Sequence, residues 1–174
     1  RPIKGTIDAR EGTSPTSLAR DPKEHAEHTM VVDLMRNDLG RVAVPGTVRV
    51  EEAFVVEPFA RLAHLVSTIA CTVRGGHGVA DILRETFPPG SVTGTPKRRA
   101  VTMIEALERG ARDVYCGAYG YLARDGGFSF AVAIRTAVIA DGTLRYDAGG
   151  GIVSESDPER ETAETELKTR VLRD

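Results

Sequence analysis

The chain has 174 residues, 41% of them apolar and 28% charged, with a formal net charge of −2, enough apolar mass for one sizeable core. Both signs are spread along the sequence, which argues against a nucleic-acid footprint or an anionic membrane surface and in favour of small-molecule chemistry. Cys71 and Cys116, each in an alternating apolar run, do not make a disulfide scaffold or zinc ribbon and suit a reducing cytoplasm, and no apolar run reaches membrane-spanning length.

The chain opens on "RPIKGT", within what reads as a motif, and the expectation is a piece of something longer. Lys4 beside Gly5 reads as a nucleophile, an anion clamp or a solvated surface cation, the last being the usual state of a lysine. Residues 7–20, rich in Gly, Ser, Thr and Pro, read as a loop. Asp21-Pro22-Lys23-Glu24 supplies an N-cap and Pro at the first helical position, Ala26, Met30, Val31 and Leu34 recur at helical spacing, and Gly40 ends the helix. The period then changes to two. Strands are expected over 41–44 and 47–56 around Pro45-Gly46, and again over 61–73. Helices are expected over 79–87 and 96–109, the second capped by Thr95 and stopped by Gly110, with Ala100, Val101, Ile104 and Leu107 on one face. Strands return over 117–123, over 128–139 after Asp125-Gly126-Gly127, and over 144–147 after Asp141-Gly142, and a last helix begins at Asp157-Pro158. Short turns imply antiparallel pairing, and the class is α+β with a hint of duplication in element order.

Glu24 and Glu27 project from one face of the first helix, and Glu161 and Glu164 repeat the spacing on the last. Like charges so placed repel slightly, and a hard divalent cation such as Mg²⁺, bound by oxygen alone, would compensate them. The alternative is two solvated pairs favoured by the helix dipoles. His25 and His28 do not make a zinc-protease motif and read as surface residues. His64, inside the apolar alternation of a strand, is either structural or a general acid. The stretch 90–97 lacks the phosphate-loop pattern, and its glycines either present backbone N–H groups to a carboxylate or serve packing. Three glycines at 149–151 allow close approach of a ligand to backbone, and Arg135 suits a carboxylate.

Seven segments in order, "PIKGT", "DPKEHAEHTMVVDLMRNDLGRV", "VVEPFARLAHLVSTI", "FPPGSVTGTPKRRAV", "CGAYGY", "AVAIRT" and "GGGIVSESDPERETAET", resemble the chorismate-binding enzymes over nearly the whole chain. The resemblance implies an α+β fold of antiparallel sheets packed together with outer helices, of which residues 1–174 form the C-terminal portion of a single chorismate-binding domain. A further portion with the family's general base would precede Arg1, so that these residues alone would not turn over chorismate. Carried over by motif, Glu27 and Glu164 become direct Mg²⁺ ligands, with Glu24 and Glu161 assisting. His64 becomes the group that helps the ring hydroxyl leave, and Tyr115 and Arg135 hold a chorismate carboxylate. Gly149 and Gly151 supply backbone donors, while Gly5, Thr6, Ser91 and Lys168 line the pocket.

Lys4 acquires a meaning from the same resemblance. Anthranilate and isochorismate synthases are generally similar at "PIAGT", with alanine there, whereas a lysine resembles aminodeoxychorismate synthase component I. In that subfamily the amine adds at ring carbon 2 and expels the hydroxyl from carbon 4, and ammonia from a glutamine amidotransferase subunit then adds at carbon 4 and expels the lysine. The resemblance thus implies Mg²⁺-dependent amination of chorismate toward p-aminobenzoate. The alternatives are anthranilate synthase component I and a non-catalytic chorismate-binding module.

Overall fold

The computed structural model describes residues 1–8, 18–20, 22–58, 62–154 and 156–170. The expected loop over 9–17, the N-cap at Asp21 and the strand start at Arg61 lie outside the described residues. The chain divides into two compact units, 1–101 and 102–174.

The first unit holds β1 (Ile3–Asp8), α1 (Pro22–Gly40), β2 (Arg49–Pro58), β3 (Leu62–Ala70), α2 (Val79–Thr86), a 3₁₀ turn (Gly90–Val92) and the start of α3 (Lys97–Leu107). The strands make one antiparallel sheet in the order β1-β3-β2, and α1 packs on all three. Two expectations are corrected here. Residues 3–8, including Ile7 and Asp8 of the expected loop, form a strand, because β3 offers them a ladder; the strand expected over 41–44 is reduced to a single bridge, Ala43 to Val73. Pro45-Gly46 makes its turn, with the Thr47 N–H donating to the Val44 carbonyl at 3.1 Å and Gly46 at φ +81°.

The buried face of α1 is rotated from the expected one. It runs through His28, Val31, Val32 and Asp38, while Met30 is exposed. Two of these four are polar, and each is paired: His28 Nε2 lies 2.7 Å from Ser67 Oγ, and Asp38 Oδ1 lies 2.6 Å from Lys97 Nζ. A hydrophobic period cannot register polar groups that are buried because they are satisfied. His28 is wholly buried, which corrects the surface reading, and burial together with the charge of His25 lowers its pKa. His25 and His28 hold the Phe54 ring between them, His25 stacked at 4.4 Å and His28 tilted at 5.3 Å. Apolar packing comes from Ala63, Leu65 and Val66 of β3 with Leu18, Val31, Val32 and Val42.

The second unit carries two hairpins, β4 (Ala118–Leu122) with β5 (Phe128–Val132) and β6 (Ala137–Ala140) with β7 (Thr143–Tyr146), then α4 (Pro158–Thr169). The turns fall where expected, Asp141 at φ +49° and Gly142 at φ +72° matching the Asp-Gly hairpin signature. The strand expected over 128–139 is instead broken in two. Arg135, at φ +54°, turns the chain between β5 and β6, and continuous apolar character on both sides hides the break from sequence. The expected apolar face of α3 is not a buried one, since Leu107 is 77% exposed. Asp157 caps α4 by accepting from the Arg160 N–H at 3.0 Å, with Pro158 at the first turn.

Candidate active site

In the first unit the candidate residues gather where β1 is irregular. Lys4 pairs with Leu65 and Thr6 with His64, so Gly5 is an extra residue between two rungs, at φ +78°. Only glycine suits this place. A Cβ on Gly5 would lie 2.7 Å from Glu24 Oε2 and 2.9 Å from Leu18 Cδ1, and the left-handed backbone is itself strained for any other residue. Beyond the bulge the Lys4 Nζ reaches Glu27 Oε2 at 2.7 Å, both side chains being mostly covered. Glu24 and Glu27 thus meet β1 one turn apart on α1, the first at the glycine backbone and the second at the lysine amine. Alternation along β3 directs Leu65 and Ser67 to the face that meets α1 and His64 to the other, where it stands beside Thr6 on the ladder.

The second unit gathers another set around residues 149–151 and α4. Glu161, Glu164 and Lys168 share one face of the helix. Lys168 Nζ pairs with Glu164 Oε1 at 2.7 Å and donates to the Gly149 carbonyl at 2.9 Å. Glu161 Oε1 accepts from Ser156 Oγ at 2.9 Å, and its other oxygen lies 3.0 Å from where a Cβ on Gly150 would stand. Tyr115 Oη approaches Gly149 in the same way, at 3.0 Å from an imagined Cβ, so the glycines admit side chains to the backbone on both sides. Arg135 Nη1 donates to the Lys168 carbonyl at 3.2 Å. It is exposed, and its partner is a backbone carbonyl rather than a carboxylate. Burial pushes the Tyr115 phenol up to about 12, with the Cys116 thiol adding to the shift, so the phenol stays a neutral hydrogen-bond donor. Gly151 is exposed.

Ser91 belongs elsewhere in the first unit. Its 3₁₀ turn packs on the later half of α1: a Cβ on Gly90 would lie 3.0 Å from Leu34 Cβ, and the Gly90 N–H donates to Asp38 Oδ2 at 3.3 Å. Asp38 lies about 16 Å along the helix from Glu27 at 1.5 Å per residue. Lys97, at the end of the stretch whose glycines are open by sequence to either N–H presentation or packing, is taken up by Asp38 and by the Thr86 carbonyl at 3.2 Å. That leaves packing and the Asp38 anchor as the roles of Gly90.

The glutamate pairs offer the donor type that Mg²⁺ takes, but among the described residues no three His, Cys, Asp or Glu side chains gather into a group that could hold a metal ion. All four donors are carboxylate oxygens, the hard ligands such an ion prefers. In each unit a lysine ammonium lies 2.7 Å from one carboxylate of the pair, Lys4 on Glu27 and Lys168 on Glu164, and already balances its charge. Sequence reasoning missed His28, Ser67 and Phe54. The helical spacing of His28 to Val31 and Val32 was the available sign that His28 faces inward.

A model of the chorismate binding enzyme family matches residues 1–174. Aminodeoxychorismate synthase component 1 of Klebsiella aerogenes is 47% identical over 170 residues, covering 95% of this chain and 38% of that protein. Anthranilate synthase component 1 of Streptomyces coelicolor is 46% identical over 177 residues, covering 99% and 35%. The crystal structure of anthranilate synthase component I from Streptococcus pneumoniae superposes with a TM-score of 0.85 at 38% identity, over 98% of this chain and 40% of that one. The menaquinone-specific isochorismate synthase of Escherichia coli gives the same TM-score at 28% identity, over 98% of this chain. Mixed helices and antiparallel sheets with carboxylate-bearing helices define the class, and the chain belongs to the chorismate-binding enzyme family. It spans less than two-fifths of the length of these curated relatives. Among the described residues no helix is long and apolar enough to cross a membrane.

Proposed function

We propose that the chain is the C-terminal part of an aminodeoxychorismate synthase component I, which aminates chorismate at ring carbon 4 with ammonia from a glutamine amidotransferase subunit in the cytoplasm. The observation that carries this reading is the Lys4 amine set 2.7 Å from Glu27 Oε2 beside the Gly5 bulge. Overall identity does not discriminate, since 47% to one subfamily stands against 46% to the other. Lys4 does, because direct attack at carbon 2 needs no lysine.

An amine attacks only after losing its proton, and in the resting site the Lys4 ammonium is held 2.7 Å from Glu27 Oε2, so it must be released from that pair before it attacks. As the nitrogen bonds to carbon 2 the two conjugated ring double bonds shift and the carbon 4–oxygen bond breaks. The hydroxyl leaves as water on protonation, a donation the family motif would give to His64, which the ladder places on the face of β3 away from α1. Ammonia then bonds to carbon 4, the two double bonds shift back, and Lys4 departs, taking up a proton to balance the one ammonia sheds. Tyr115, as a neutral donor, together with Lys168, Arg135 and the 149–151 backbone, would bind substrate carboxylates. Glu24 and Glu27 on α1, and Glu161 and Glu164 on α4, would offer carboxylate oxygens to Mg²⁺, which when bound supplies a positive charge against a substrate carboxylate.

Product analysis tests the reading. The whole protein with chorismate, Mg²⁺ and ammonium is expected to yield a product that becomes p-aminobenzoate only after a lyase is added. Fluorescent anthranilate formed without the lyase would establish the anthranilate synthase reading instead.

A further inference from the structure

Glu27 and the wholly buried His28 are neighbours on α1, so any slide or rotation of the helix that moves one moves the other. His28 Nε2 is held 2.7 Å from Ser67 Oγ, and its Nδ1 is buried with no hydrogen-bond partner. An apolar residue would fill the same space without an unsatisfied atom, so the one bond the ring makes is the reason for a histidine there. Ser67 is where the sheet converges. Its N–H donates to the Pro2 carbonyl at 3.2 Å, two residues before Lys4, and its Oγ accepts from the Phe54 N–H at 3.1 Å at the irregular stretch of β2, where Phe54 has φ +54°. His25 and His28 then hold the Phe54 ring from α1. The helix is therefore tied at one point to the start of β1, to β3 and to β2.

We propose that His28 is a positioning residue, whose hydrogen bond to Ser67 fixes α1 against β1 and so sets the approach of Glu27 to the Lys4 amine. A second tether on the same helix, Asp38 to Lys97, does not pass through Ser67. Breaking the first link should release Glu27 from Lys4 and leave the Asp38–Lys97 pair intact. The catalytic meaning of this arrangement rests on the role proposed for Lys4, but the geometry does not, so the test reads the amine itself.

The experiment is trace acetylation of the whole protein with N-hydroxysuccinimide acetate, followed by peptide mass spectrometry of Lys4 and Lys97. Ser67→Ala and His28→Leu are expected to raise Lys4 labelling several-fold with Lys97 unchanged, because an ammonium held by a carboxylate acylates slowly. His28→Gln, which keeps a polar nitrogen near the Nε2 position, should label like the native protein. Lys4 labelling unchanged in Ser67→Ala, a parallel rise at Lys97 in that variant, or a Gln variant that behaves like Leu would overturn the proposal. If His28→Leu fails to fold by circular dichroism, Ser67→Ala decides. Loss of activity in Lys4→Ala bears on the proposed function alone and leaves this result standing.

Discussion

Replacing Gly5 by alanine separates two physical effects that coincide at the β1 bulge. The left-handed backbone at φ +78° costs a residue with a Cβ about 1–2 kcal/mol. The new methyl would also stand 2.7 Å from Glu24 Oε2 and 2.9 Å from Leu18 Cδ1; both are ends of flexible side chains, but Leu18 is 3% exposed and has little room to swing, so the clash adds about 1 kcal/mol, the low end of overpacking. Gly46 is the natural control, since it has φ +81° and nothing within 4 Å of an added Cβ. Gly46→Ala should therefore show the backbone cost alone. The expected difference, about 1 kcal/mol, is read as a urea midpoint lower by about 0.5 M in Gly5→Ala than in Gly46→Ala, for a slope of about 2 kcal/mol per molar. Equal midpoints in the two variants would refute the claim that Glu24 and Leu18 close over Gly5.

Three other outcomes are expected. Lys97→Met leaves the 7% exposed Asp38 carboxylate without its cation, and urea denaturation should show a loss of about 3–5 kcal/mol, as for one partner removed from a buried pair; a loss under about 1 kcal/mol would mean that solvent already screens the pair. Glu27→Gln and Glu164→Gln keep shape but remove charge, so chorismate binding by the whole protein should lose its Mg²⁺ dependence with folding retained, and unchanged Mg²⁺ titrations would remove those two residues from the metal site. Tyr115 has a folded pKa of about 12 against 10.0 unfolded, so the unfolded chain releases the proton first and stability falls as pH rises through that window. Tyr115→Phe should show a smaller fall over the same range by circular dichroism, and an equal fall would assign the alkaline loss to other groups.

What could be read from the sequence follows from where the signals lie. The Asp-Pro start of α4, the Gly40 end of α1 and the Asp-Gly turns are local chemistry, and each stands within a residue or two of its expected place. β1 was missed because a strand containing Lys-Gly-Thr has no alternation of its own and exists through its ladder with β3. Arg135 breaks an apolar run by its backbone angle, which no pattern of hydrophobicity records. The glutamate spacings placed their carboxylates on shared faces, but which side chains met them, Lys4 and Lys168 among others, needed tertiary structure. His28 was misread because its partner, Ser67, is 39 residues away.

Mass spectrometry of the whole protein mixed with chorismate and Mg²⁺, before any ammonia is present, tests the central claim most directly. The account predicts a covalent adduct that maps to Lys4, equal in mass to chorismate less water, absent in Lys4→Ala and discharged when ammonium is added. An unmodified Lys4 in a protein that still makes the carbon 4 amine, with Lys4→Ala giving the same product at the same rate, would contradict it.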